Sequence, residues 1–213
     1  MKVTTATLNA DWDDLTKSSF SERDVDVLDL ITEEDLVLFT FDGLKRRMGL
    51  HPETLSRILG RLEQEGIVEK GHGGYRVTSK LNEFLGPHST CSDESRVPLL
   101  QTFLPSDMSV QNLTSQLRGR WFGLLRWLGL SEGNAREEVT LKWITEDGGI
   151  QVDAKVSDRA LTIEAKFLHD KDLNMALRAS YQLVAYIGKL CSSSRLIRRV
   201  AYVGDFDVHL TPA

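Results

Sequence analysis

Apolar and polar residues alternate with period two from Gly149 to Phe167, on either side of a short polar turn, Ser157-Asp158-Arg159-Ala160. Ile150, Val152, Ala154 and Val156 share one face, as do Leu161, Ile163, Ala165 and Phe167. This pattern predicts two half-buried strands. A turn centred on Asp158-Arg159 sets Asp153 opposite Glu164 and Gln151 opposite Lys166. Upstream, Ser21-Glu22-Arg23-Asp24 reads as a helix start, followed by Val25, Leu28 and Ile31 on one face. Leu36 to Phe41 predicts a short strand, and Asp42 caps a helix from Gly43 to Met48. His51 and Pro52 open a further helix, whose Leu55, Ile58, Leu59 and Leu62 form a core stripe. Two short strands, Ile67–Lys70 and Tyr75–Thr78, flank the tip Gly71-His72-Gly73-Gly74.

Residues 86–108 are rich in Pro, Ser, Gly and Asp at both ends and predict a linker between two domains. Residues 1–20 show no clear period and are expected to be an arm. Beyond the linker, Val110, Leu113, Leu117, Trp121, Leu124 and Leu128 fit one long helix over Ser109–Leu130. Trp121, Phe122 and Trp127 are expected in its core. A strand at Glu138–Thr145, the hairpin, a helix at Leu173–Leu190 and a strand at Arg199–Val203 follow.

Composition narrows the class. The chain has 213 residues with 41% apolar content, enough for packed cores. Its net charge of −5 argues against coating nucleic acid, but the charge is uneven. Residues 1–35 hold 3 basic and 10 acidic side chains, and residues 36–80 hold 8 and 5. Two cysteines without CxxC spacing fit reduced thiols. Without a signal segment or an apolar run of membrane-spanning length, the expected location is cytoplasmic.

The run LSRILGRLEQEGIVEKGHGGYRVTSK, Leu55 to Lys80, resembles the recognition helix and wing of MarR-like winged helix-turn-helix proteins. The resemblance covers about residues 22–85, within a domain read as 21–85. It implies double-stranded DNA as partner, with Thr54, Ser56, Arg57 and Arg61 on the recognition helix. It also implies phosphate contacts from Lys45, Arg46 and Arg47 on the preceding helix, and from His72 and Arg76 on the wing.

In the hairpin, Asp153 set against Glu164 is a destabilising pair unless a cation offsets it. Two carboxylates with a lysine nearby suit a divalent metal and a hydrolytic water. About residues 109–205, within a domain read as 109–213 and ordered helix, three strands, helix, strand, resemble the αβββαβ core of the PD-(D/E)XK restriction-endonuclease-like superfamily. Asp153 matches the acid of its second strand, Glu164-Ala165-Lys166 its (D/E)-x-K, and Gln182-x-x-x-Tyr186 the Q-x-x-x-Y of its RecB-like branch. The resemblance implies Mg²⁺ held by Asp153, Glu164 and the Ala165 carbonyl. Lys166 would then serve the attacking water, and Gln182 and Tyr186 the scissile strand. Many relatives carry an acid on the first core helix. Residues 109–130 contain none, which leaves Glu137 or Glu138 as a substitute, or a two-acid site.

The expected fold is therefore α+β or α/β, a winged helix followed by a nuclease-like domain. The expected function is a metal-dependent DNA endonuclease. The alternative is a transcription regulator whose C-terminal domain is inactive and serves sensing or dimerisation, as a homodimer. The membrane is not an expected partner.

Overall fold

The computed structural model describes residues 20–81, 96–106, 108–133, 138–157, 160–169, 172–193 and 200–201. The arm over 1–19, residues 82–95 of the linker, the hairpin tip Asp158-Arg159, Glu137 and most of the last predicted strand lie outside them. The fold is mixed α+β. In chain order its elements are α1 (Glu22–Glu33), β1 (Leu38–Phe39), α2 (Phe41–Met48), α3 (Pro52–Gln64), β2 (Val68–Gly71) and β3 (Gly74–Val77). Then come β4 (Arg96–Phe103), α4 (Val110–Leu117), β5 (Leu125–Glu132), β6 (Val139–Thr145), β7 (Ile150–Val156), β8 (Ala160–Phe167), α5 (Leu173–Ser193) and β9 (Val200–Ala201). Among the described residues no helix is long and apolar enough to cross a membrane.

Local chemistry accounts for the N-terminal helices. At α1 the Asp24 carboxylate reaches back to the Ser21 backbone N–H at 2.8 Å. Thr40, not Asp42, caps α2, its hydroxyl accepting from the Gly43 N–H at 3.2 Å. Gly49 ends α2 with φ of 62°. His51 caps α3 through Nδ1, with Pro52 in the first turn. The stripe Leu55, Ile58, Leu59 and Leu62 is fully buried, together with Val27, Ile31, Phe39 and Leu44.

The nine strands among the described residues form one sheet, in the order β2-β3-β1-β5-β6-β7-β8-β4-β9. The register predicted for β7 and β8 is observed, with Asp153 opposite Glu164 and Gln151 opposite Lys166. Two predicted segments differ. Residues 96–103, assigned to a linker, form β4, which pairs with β8 along its length and separates β8 from β9. The long helix expected over Ser109–Leu130 stops at Leu117 and becomes strand β5. Gly119 and Gly123 adopt φ of +74° and +57°, so the chain leaves the helix there even though the apolar spacing continues. Trp127 and Phe122 are buried as expected, but Trp121 is 62% exposed.

The two-residue strand β1 joins the halves. It pairs with β3 on one side and β5 on the other. Leu38 faces the core built on β5–β8, and Phe39 faces the core under α1–α3, stacked 5.6 Å from Tyr75. Glycines on the flanking strands permit this approach. A Cβ on Gly74 would lie 2.2 Å from the Phe39 carbonyl oxygen, and one on Gly129 2.2 Å from that of Leu38. Gly129→Ala should therefore lower stability by about 2–3 kcal/mol or more, because backbone has to move. Gly60→Ala, in α3 with nothing within 4 Å of its added carbon, should raise it by about 0.5–1 kcal/mol. Urea midpoints of the two variants check the opposite signs.

Candidate functional site

One face of the sheet carries Lys142, Gln151, Asp153, Glu164 and Lys166. Strand pairing brings them together, because Asp153 lies between Lys142 on β6 and Glu164 on β8. The end of α1 and the last turn of α2 cover this face. α1 closes in a left-handed turn. Asp35 takes φ of 48°, its N–H donates to the Thr32 carbonyl at 3.0 Å, and Leu36 N–H donates to Ile31 at 2.9 Å. That turn directs Glu34, the capping residue, into the sheet.

Glu34 is the centre of the cluster, with a side chain that has no solvent exposure. Its Oε2 accepts from Lys142 Nζ at 2.9 Å, Gln151 Nε2 at 2.8 Å and Arg96 Nη2 at 3.2 Å. Its Oε1 accepts from Lys166 Nζ at 2.9 Å and lies 3.5 Å from Arg47 Nη2. Lys166 also donates to the half-exposed Glu33 at 2.5 Å. Asp153 shares these partners. Its Oδ2 accepts from Arg96 Nη1 and, at 3.3 Å, from Lys142. Its Oδ1 accepts from Gln151 at 3.0 Å. Glu164 stands apart, with its buried Oε2 2.9 Å from Lys155 Nζ as an ion pair but accepting no hydrogen bond.

Burial pushes the Glu34 carboxyl up. The Lys142 charge and hydrogen bond, reinforced by Lys166, outweigh that and hold it far below the usual carboxylate range. Burial drives the Lys142 ammonium below the ordinary lysine range. Arg96 and Lys166 add to this, and Glu34 counters it only in part.

The like-charged pair Asp153–Glu164 is thus offset by the protein's own cations. This donor set does not fit Mg²⁺, which takes oxygen ligands. Both Asp153 oxygens already hold Arg96, Lys142 and Gln151, and a divalent ion there would face the buried Lys142 and the partly buried Arg96 and Lys166. Ala165 sits inside the ladder between Val152 and Val97, fully buried. Among the described residues no group of three or more acid, histidine or cysteine side chains is placed to hold an ion. Glu138 lies at the start of β6, away from Asp153.

Gln182 and Tyr186 are on the other side of the sheet. α5 packs Ala176, Ala179, Leu183 and Ile187 against the apolar face of β7 and β8, so Gln182 and Tyr186 do not meet Asp153, Glu164 or Lys166. The predicted DNA contacts also divide. Arg47 turns inward to Gln151 at 3.1 Å and to Glu34, and is part of the ionic cluster. Arg61 forks onto buried Asp24 at 2.6 and 3.1 Å, tying α3 to α1. Lys45 pairs with Asp42 at 3.1 Å, and Arg46 donates to the Asp42 carbonyl. Ser56, Arg57, His72 and Arg76 are exposed, and Thr54 is half-buried. Arg57 touches only exposed Glu53, a surface pair worth little.

Glu34, Arg96 and Lys142 were absent from the sequence-derived site. One signal did point to Glu34. Glu33, Glu34 and Asp35 crowd the C-terminal end of α1, whose last turn has no base, against the helix dipole. Comparison with family models, curated proteins and solved structures gives no match.

Glu34→Gln should cost about 3–5 kcal/mol, because it leaves buried cations short of a counter-charge, and Lys142→Met added to it should recover part of that loss. The pH dependence has a definite sign. The folded-state pKa of Glu34 lies far below its unfolded value of about 4.3, so its contribution is full above that pH and falls as pH drops below it. Glu34→Gln should flatten the acid limb by up to about 1.4 kcal/mol per pH unit. Urea titrations between neutral pH and pH 3 measure this.

Proposed function

We propose that the chain is a winged-helix protein that docks duplex DNA through α3 and the β2–β3 wing, with the C-terminal sheet acting as its rigid support. The observation that carries this reading is the division of basic residues. Arg47 and Arg61 are committed internally, whereas Ser56, Arg57, His72 and Arg76 stand exposed on the start of α3 and on the wing. A depression of about 270 Å³ runs beside them between Arg23, Thr54 and Arg57. Helix N-terminal halves of this kind read base edges in the major groove, with flanking cations on phosphates.

The cation-filled Asp153 cluster favours structural support over metal-dependent phosphodiester hydrolysis. In this reading Asp153, Lys166 and Glu34 set the angle at which the DNA-reading unit sits on the sheet. A location in the cytoplasm accords with it.

Binding to a duplex library, measured by anisotropy, should weaken steeply with salt and be unchanged by EDTA. Arg57→Ala should cost about 1–3 kcal/mol on the preferred sequence, and Arg76→Ala should reduce the salt slope by about one. Salt-independent binding, or none, would overturn the proposal. Mg²⁺-dependent nicking lost in both Asp153→Ala and Lys166→Ala would restore the endonuclease.

A further inference from the structure

The face opposite the ionic cluster carries a second concentration of charge. Residues 109–131 contain Arg118, Arg120 and Arg126 and no acid, and residues 173–193 contain Arg178 and Lys189 and no acid. These stretches supply α4, the turn after it, β5 up to Ser131, and α5. In a chain of net charge −5 with 31 acidic side chains, such a layer is a local reversal of sign. Among the described residues Glu146, from the β6–β7 turn, reaches in and pairs with Arg126 at 3.0 Å.

Aromatic rings interleave with these cations. A cavity of about 450 Å³ is lined by Arg120, Trp121, Phe122, Gln182, Tyr186 and Lys189. Arg126 lies over the Trp121 ring, 4.8 Å from its centroid, and Arg120 over Tyr186 at 5.1 Å. Trp121 is still 62% exposed, and Tyr181, one residue before Gln182 on α5, is 68% exposed. The loop is held against α5 by close backbone approach. A Cβ on Gly123, at φ +57°, would come 3.0 Å from the Gln182 amide. An indole left in water beside Arg120, Arg126 and Lys189 has no role in the core, where Trp127 and Trp143 already pack edge to face at 5.3 Å.

We propose that this groove binds single-stranded nucleic acid. Trp121 and Tyr181 would stack on unpaired bases, Arg120 and Lys189 would take the phosphates, and the Gln182 amide would meet a base edge. Stacking platforms flanked by cations bind strands with little sequence preference, because every base has a π-face. The bases of a duplex are not accessible to such rings. The site is separate from the α3 surface and stands independently of the duplex proposal.

The test is anisotropy of a labelled oligothymidine titrated with the full chain, with a duplex of equal length and thymidine monophosphate as comparators. Wild type should bind the oligothymidine, quench tryptophan fluorescence and weaken with salt. Trp121→Ala should lose about tenfold in affinity, Trp121→Phe should retain binding, and Lys189→Glu should weaken it. Arg57→Ala should leave it unchanged while impairing duplex binding. Trp121 and Lys189 are exposed, so these variants fold. No oligothymidine binding at low salt, or full affinity in Trp121→Ala, would overturn the proposal. Loss of oligothymidine binding in Arg57→Ala would reassign it to α3, and monophosphate binding as tightly as the strand would make the groove a nucleotide pocket.

Discussion

A carboxylate with no access to water, surrounded by four cations, fixes how the two halves of this chain meet. Glu34 belongs to α1, Arg47 to α2, Arg96 to β4, Lys142 to β6 and Lys166 to β8. Removing Glu34 leaves these cations short of a counter-charge in a low-dielectric space, so the cluster resists partial opening. It is a weak source of net stability, because burying ions costs several kcal/mol each. What it supplies is orientation. Apolar packing alone tolerates sliding, whereas a fully hydrogen-bonded ionic centre has one geometry.

β1 imposes the same constraint in the backbone. A strand of two residues cannot hold two units together by hydrogen bonds alone. Its side chains point into different cores, and glycines on both neighbours let the three backbones close up. α1 acts as a strut between these attachments. Asp24 at its start is tied to Arg61 of α3, and Glu34 at its end is tied to the sheet. Burial pushes the Asp24 carboxyl up, but the Arg61 and Ser21 hydrogen bonds more than reverse this and leave it lowered. Asp24 and Glu34, two of the ten acids in the first 35 residues, are therefore internal counter-ions.

This explains which parts were legible in the sequence. The β7–β8 register followed from strict alternation and turn position, since a one-residue slip would expose every apolar side chain. The α3 stripe and its His51-Pro52 start followed from spacing and capping. β4 was hidden because Pro98 interrupts its pattern at a bulge, within a segment of linker-like composition. β5 was hidden because Leu117, Trp121, Leu124 and Leu128 keep helical spacing through Gly119 and Gly123, whose left-handed backbone ends the helix. The cations of the site were illegible for a different reason. Asp153 and Glu164 were placed by a local turn, whereas Arg96, 57 residues from Asp153 in sequence, reaches it through β4, and Lys142, only 11 away, reaches it through a β6–β7 register that the hairpin alternation does not set. A search along the sequence for acids finds candidate metal ligands and misses the bases that neutralise them.

Bulk charge is a poor guide here for the same reason. Arg47, Arg61, Arg96 and Lys142 are committed to Glu34, Asp24 and Asp153, so they contribute nothing to the outward field. The acids and bases that remain outside are sorted by element. Residues 109–131 and α5 carry no acid, while the first 35 residues carry 10, of which Asp24 and Glu34 are internal. A polyanion approaching the molecule therefore meets repulsion over much of the surface and attraction at limited places, the two proposed surfaces among them. Because electrostatic steering depends on local fields within a Debye length of about 8–10 Å, those places decide encounter, and the net charge of −5 does not. The proposed duplex-reading and strand-binding surfaces lie on opposite faces of one continuous sheet, so a chain that occupied both would hold two nucleic-acid segments at a separation fixed by the Glu34 cluster.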